Sequence, residues 1–376
     1  MMLYQAVGIS LSSSVYLCCR TVSSIAMGRS SRWGTDDLRS SSAGRVEANL
    51  PPPGATRDRV GRFGSPSVSV GWGCRRRPAR DIDGGFMTPL QPPSGLRLFA
   101  TDLDGTLLLP DGSIGKRTHA ALSALIERGV HVVFVTGRPP RWIRPIADMT
   151  DHQGTAIGAN GAVVIDMASE VITTVHPIAP EVAQEAARRL RELADDVTFA
   201  VEFAKEGDSI DESYFALDTH YRARWEIAPS TEIAEASTLL GRPGISKLLA
   251  RPHGEHGHDA DSLLRAADAA LADLLEVTHS NSDDVLLEMS ALGVNKGTTL
   301  AEIAHSLGIH SSEVVACGDM PNDIPMLRWA GRSFSMSEAH PEAQAAATAV
   351  IGSNADEAVA ALIESLLGDQ LSALST

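Results

Sequence analysis

Past residue 87 the sequence predicts an α/β fold that carries an inserted α+β module. Short apolar runs alternate there with segments rich in Ala, Leu, Glu and Arg, the texture of a strand followed by a helix, repeated. Two of the runs close on aspartate, at Asp102 and Asp319, and open α/β sheets receive ligands at the carboxyl ends of their strands. Between residues 178 and 289 the alternation gives way to a different order of helices and paired strands.

In chain order, the apolar runs at residues 96–102, 130–136, 155–158, 314–319 and 333–336 are the expected core strands. Helices are expected at residues 115–128, 138–149, 296–307, 323–329 and 341–348. The insertion reads as a helix at 180–194, strands at 197–203 and 245–251, a helix at 259–275, and paired strands at 276–280 and 284–289. Polar residues 206–213 and Gly/His-rich residues 253–258 read as loops. His253, His256 and His258 have metal-binding chemistry, but a solvated turn is the preferred reading. The expected domains are core segments at 87–177 and 290–376 and a module at 178–289.

Residues 1–86 differ from all of this. They hold 12 Arg, no Lys and six acidic residues, are rich in Gly, Ser and Pro, and show neither helical nor strand periodicity. Such a basic leader is expected to be disordered. The composition break at Met87 points to a natural start there, the alternative being a basic tail that contacts a partner. The remaining chain carries 20 basic and 41 acidic residues within an overall net charge of −15. That balance excludes nonspecific affinity for nucleic acid or an anionic membrane, and makes binding of a polyanion depend on a metal or on local cations. Hydrophobic residues, at 43%, suffice for real cores. Cys18, Cys19 and Cys74 lie in the leader and only Cys317 lies beyond it, so neither a disulfide framework nor zinc spacing is present, and a cytoplasmic location is expected. No apolar run reaches the roughly 18–20 residues that span a bilayer.

Four segments carry chemistry. Residues 98–108 end an apolar strand with Asp102 and Asp104, two positions apart, and then Gly105. One carboxylate can attack phosphorus while the other gives a proton to the leaving oxygen and later takes one from water. Residues 133–138 end a second strand with Thr136 and Gly137, a hydroxyl and a backbone N–H able to hold a phosphoryl oxygen. Lys296 opens a helix after Gly293 and can neutralise charge between nucleophile and phosphoryl group. Residues 314–323 end a strand with Asp319, Asn322 and Asp323, hard oxygen donors that suit Mg²⁺. Each segment alone has a plainer reading: an Asx turn, an N-cap threonine, a solvent-facing lysine, a helix-starting turn.

Together and in this order the segments resemble the four motifs of the haloacid dehalogenase-like phosphohydrolases: DxDGT, a hydroxyl residue after the second strand, a lysine, and GDxxND. The insertion sits where a type II cap sits, and its pattern is similar to the IIB cap of the Cof-type subfamily. Asn160-Gly161-Ala162 is similar to that subfamily's NGA turn, while Ser337 departs from the usual glycine or asparagine of a later loop. The resemblance implies a Rossmann-like core with a cap. Asp102 would be the nucleophile, Asp104 the general acid/base, and Lys296 a catalytic cation. Thr136, Gly137, Lys296 and Asn322 would bind the phosphoryl group. Mg²⁺ would be held by the Asp102 carboxylate, the Asp104 carbonyl and Asp319, with Asp323 in support. The expected reaction is hydrolysis of small phosphorylated metabolites, sugar phosphates foremost, through an aspartyl-phosphate. The alternatives are a phosphomannomutase-like phosphotransferase and a noncatalytic sensor of phosphometabolites. Lys247, Arg222 and Arg224 are the cap's candidates for meeting an acidic substrate, with surface or packing as their plainer reading. The protein is expected to act as a monomer or homodimer, with no nucleic acid or membrane partner.

Overall fold

Every side chain of the strand Leu98–Thr101 (β1) is buried, as befits a strand covered on both faces. Successive residues separate cleanly: Phe99 joins one apolar cluster, Leu98 and Ala100 another. The same division recurs in the next strand, where Phe134 faces the first cluster and Val133 and Val135 the second. Each large apolar side chain so buried contributes about 1.5–3 kcal/mol relative to exposure.

The computed structural model describes residues 95–223, 227–253, 259–281 and 284–373, the side chains of 369–373 excepted. The leader at 1–86, Arg224, His256 and His258 lie outside the described residues. After β1 come α1 (Lys116–Glu127), β2 (His131–Val135), α2 (Arg144–Thr150), β3 (Thr155–Gly158), β4 (Val163–Asp166) and β5 (Val171–Val175). The next group is α3 (Pro180–Leu193), β6 (Val197–Phe203), β7 (Tyr214–Asp218), β8 (Glu232–Ala234), α4 (Ala236–Leu240), β9 (Ile245–Pro252), α5 (Ala260–Leu271), β10 (Leu275–Thr278) and β11 (Leu287–Ala291). The chain then returns through α6 (Lys296–Ser306), β12 (Val314–Gly318), α7 (Ile324–Trp329), β13 (Arg332–Ser335), α8 (Pro341–Ala346), β14 (Ala349–Val350) and α9 (Ala358–Ala373).

Among the described residues, eight strands form the core sheet in the order β14-β13-β12-β1-β2-β3-β4-β5. The first six run parallel and β4 and β5 antiparallel. The chain builds outward from β1 through β2 and β3 and later returns to β12 on the other side of β1. The order therefore reverses between β1 and β12, the place where such sheets open a crevice. A second sheet, β10-β11-β9-β6-β7-β8, is antiparallel except where β7 meets β8. Strand alternation divides its faces: Val201, Leu248 and Met289 pack with α3, α4 and α5, while Glu202, Lys247 and Glu288 occupy the opposite face.

The structure departs from the expected elements in several places. Residues 138–149 are not one helix, because Pro139, Pro140 and Pro145 confine them to a short 3₁₀ turn at Pro140–Trp142 followed by α2. The β4–β5 hairpin, β7, β8, α4, β14 and α9 carry no sequence prediction. The pair expected at 276–280 and 284–289 is β10 with β11 in a longer hairpin, Leu275 opposite Ala291. The second sheet thus ends at Ala291, just past residue 289.

Candidate active site

Asp102 follows β1 directly, and its N–H donates to the Cys317 carbonyl on β12 at 2.9 Å, so the two strand ends are stitched beside the carboxylates. Lys296 comes to them on the first turn of α6, a helix fixed at its start by a reciprocal cap. Asn295 Oδ1 accepts from the amides of Gly297 and Thr298 at 3.1 and 3.0 Å, and Thr298 Oγ1 accepts from the Asn295 amide at 3.0 Å. The helix is docked against the turn after β3. Thr299 Oγ1 donates to the Gly161 carbonyl at 2.8 Å, and Gly161 has φ +109° with room for no more than hydrogen, since a Cβ there would lie 2.5 Å from the Asn295 carbonyl.

The result is a buried lysine between two carboxylates. Lys296 Nζ is 2.6 Å from Asp102 Oδ1 and 2.6 Å from Asp323 Oδ1, with no solvent exposure. Asp323 Oδ2 accepts from the amides of Asp319 and Met320, both at 2.9 Å, so both its oxygens are engaged in holding the loop and the lysine. Thr106 Oγ1 donates to Asp319 Oδ1 at 2.7 Å. Asp102, Asp319 and Asp323 each offer an oxygen, all within 4.8 Å of one another.

Three carboxylates share one lysine, and the electrostatics follow. Burial pushes the Asp102 carboxyl well above its ordinary value against the pull of Lys296, and Asp323, Asp319 and Asp104 push the same way. Asp319 is pushed up to about 7, first by burial and then by Asp323. Burial pulls the Lys296 ammonium down, but Asp102 and Asp323 outweigh it and the net shift is upward. A divalent cation would cancel the two negative charges in excess, and an all-oxygen donor set suits Mg²⁺. The residues present therefore fit that ion.

Asp104 stands apart from this group. Both its oxygens are taken by Arg138, Nε to Oδ2 at 2.7 Å and Nη2 to Oδ1 at 2.5 Å, on the exposed rim. Thr136, buried at the end of β2, accepts from the Arg138 amide at 3.1 Å, which leaves its hydroxyl proton for another acceptor. Asn322 Nδ2 donates to Asn160 Oδ1 at 3.0 Å, and its own Oδ1 is buried without a hydrogen-bond partner. Gly137 lies close under Asn160 and Glu288: a Cβ there would come within 2.9 Å of Asn160 Oδ1 and 3.3 Å of Glu288 Oε2.

The polar face of the second sheet closes over these loops. Lys247 is buried, ion-paired with Glu288, and its Nζ donates to the Gly137 carbonyl at 2.8 Å. Glu288 also accepts from Asn160 Nδ2 at 2.7 Å and from Ser280 Oγ. Arg141 holds Glu202 through two hydrogen bonds, at 2.6 and 3.0 Å. Of the other cap candidates, Arg222 gives its carbonyl to Arg251, and His253 Nδ1 lies 3.1 Å from the His220 carbonyl. Arg138, Arg141, Glu202 and Glu288 escaped the sequence reading. For the two glutamates a signal was available, since each is a lone acid inside an apolar strand.

A family model described as haloacid dehalogenase-like hydrolase matches residues 99–363. The HMP-PP phosphatase of Serratia proteamaculans is 30% identical over 253 residues, 65% of this chain and 85% of the relative. The 5-amino-6-(5-phospho-D-ribitylamino)uracil phosphatase YwtE of Bacillus subtilis is 25% identical over 300 residues, 73% of this chain and 99% of that one. Among solved structures, SMU.1108c from Streptococcus mutans superposes with a TM-score of 0.60 at 23% identity, covering 73% of this chain and all of that one.

Proposed function

We propose, from the premise that this chain belongs to the haloacid dehalogenase-like hydrolase family, that it hydrolyses small phosphorylated metabolites, sugar phosphates foremost, by way of an aspartyl-phosphate on Asp102. It is a phosphoric monoester hydrolase of the Cof type. The observation that carries the mechanism is the buried Lys296 bridging Asp102 and Asp323 beside Asp319.

One Asp102 oxygen attacks phosphorus and the bond to the leaving oxygen breaks. Asp104 gives the leaving alkoxide its proton and then takes one from the water that cleaves the acyl phosphate, regenerating Asp102. Arg138 holds the Asp104 carboxylate in place and yields one of its two contacts when a leaving group arrives. Lys296 offsets the repulsion between the attacking and attacked anions. The Thr136 hydroxyl, the Gly137 amide and the Asn322 side chain orient the phosphoryl oxygens. Asp102, the Asp104 carbonyl and Asp319 would hold Mg²⁺, with Asp323 supporting the loop; bound there, the ion supplies Lewis-acid stabilisation of the transferring phosphoryl group.

Residues 178–289 act in this reading as the cap, which excludes water and reads the leaving group. Support for a hydroxyl-rich leaving group comes from the cap's inner face, where the Arg141–Glu202 and Lys247–Glu288 ion pairs place charged groups whose contacts substrate hydroxyls would have to share or displace. The relative named for a phospho-ribitylamino substrate agrees in kind. The test is phosphate release from a panel of phosphorylated metabolites with Mg²⁺ or EDTA, with Asp102→Asn as control. Release that needs Mg²⁺, favours sugar phosphates and vanishes in the variant is expected. Equal release in EDTA overturns the metal assignment, and preference for aromatic phosphates overturns the substrate class.

A further inference from the structure

A second cluster of metal-binding groups lies away from the carboxylates, where the inserted module meets the core. Asp261 stands in the first turn of α5 and His279 just after β10, both in the module; His340 precedes α8 in the core. His279 Nε2 is 2.8 Å from Asp261 Oδ1, and His340 Nε2 is 3.3 Å from Asp261 Oδ2. The two imidazoles meet nearly edge to face, their centroids 6.0 Å apart. One ligand atom from each residue falls within 4.8 Å of the others. An ion at their centre would need side-chain shifts of under about 1 Å to reach metal–ligand bonds of about 2.0–2.1 Å.

We propose that Asp261, His279 and His340 form a binding site for a zinc-type transition-metal ion that ties the module to the core. Two imidazoles and one carboxylate are the donors that borderline ions such as Zn²⁺ take, whereas the all-oxygen set at Asp102 and Asp319 suits Mg²⁺. The surroundings favour a built site. His279 is fully buried and His340 nearly so, which fixes two ligands, while Asp261 stays part-exposed. Asp261 and His340 also line a cavity of about 330 Å³, which gives an ion its way in and leaves room for a water as fourth ligand. Loading has a local cost: each imidazole exchanges its Nε2 contact with Asp261 for the ion and carries its proton on Nδ1, which in His279 is buried without a partner and in His340 gives up its 3.2 Å contact with the Glu342 amide. His340 carries the effect toward the other site, because its amide donates to the Asp319 carbonyl at 2.8 Å.

The test is titration of the full chain with Co²⁺ in excess Mg²⁺, its thiols first blocked with iodoacetamide, followed by visible absorption. One tight site with intense d–d bands and no thiolate charge-transfer band is expected. Asp261→Asn and His279→Gln should each weaken it by at least about 100-fold, the upper end of what loss of a mere supporting residue costs. Because His279 is buried, circular dichroism checks that variant's fold, and the part-exposed Asp261→Asn keeps the test decisive if it fails. No tight Co²⁺ site, or a spectrum unchanged in Asp261→Asn, overturns the proposal and leaves the three residues as a hydrogen-bonded contact only.

Discussion

At Asp102 the shape of the side chain and its charge can be separated by a single substitution. Asp102→Asn keeps the packing but removes the attacking oxyanion, so phosphate release should fall to below about a thousandth of wild type, the range for loss of a covalent nucleophile. A variant that retains a tenth of the activity would sink the assignment. Lys296→Met acts differently, since it leaves Asp102 and Asp323 buried without their cation; a loss of about 3–5 kcal/mol in urea unfolding is expected, as when one partner of a buried pair is removed. Asp319 sets a pH dependence whose sign can be worked out. Its carboxyl is raised to about 7 in the fold from an ordinary 3.8, so across that window the folded, metal-free chain holds a proton that the unfolded chain has released. Its contribution to stability therefore falls as pH rises toward 7, and Asp102, also raised, adds to the same trend. Mg²⁺ needs the carboxylates bare. Thermal melts should accordingly show a larger Mg²⁺-induced rise in Tm at pH 7.5 than at pH 5.5, and an equal rise at both would contradict the assignment.

At the scale of the element, α6 decides whether Lys296 reaches the carboxylates. Gly297, its second residue, would ordinarily be improved by alanine by roughly 1 kcal/mol on helix propensity. Here a Cβ would lie 2.5 Å from the Pro325 carbonyl carbon and 2.6 Å from its oxygen, and both belong to backbone that cannot swing aside. Overpacking costs about 1–3 kcal/mol and should win, so Gly297→Ala is expected to lower stability in chemical unfolding and to slow turnover by pushing α6 off α7. A stabilised, fully active variant would show that the contact gives way easily. The four chemical segments were readable because each is local: strand, turn and functional residue are adjacent in the chain. The breakup of residues 138–149 was written in Pro139, Pro140 and Pro145 too, though the apolar content of that stretch suggested one helix.

The largest-scale feature is the closure of the polar face of the second sheet over the loops that carry Gly137 and Asn160. Lys247 and Glu288 pair there out of solvent, and Glu288 extends through Asn160 to Asn322. Glu288→Gln keeps the shape but leaves Lys247 buried without its charge, so a loss of about 3–5 kcal/mol in melting experiments is expected. A raised KM should accompany it, because the module would close less firmly over the substrate. Unchanged stability and kinetics would mean that solvent reaches the pair.

The sequence by itself determined five of the eight strands of the core sheet in their order, the place of the insertion, and the carboxylates and lysine of the candidate site. These are features of short periodic runs and of residues next to them. Only the tertiary structure decided which oxygens of Asp323 were already spent, that Asp104 is held by Arg138, and that Glu202 and Glu288 face the site. These facts depend on residues tens to hundreds of positions apart, such as Glu288 with Asn160 or Lys296 with Asp102. The free energy of a buried charge is set by partners that no local pattern names.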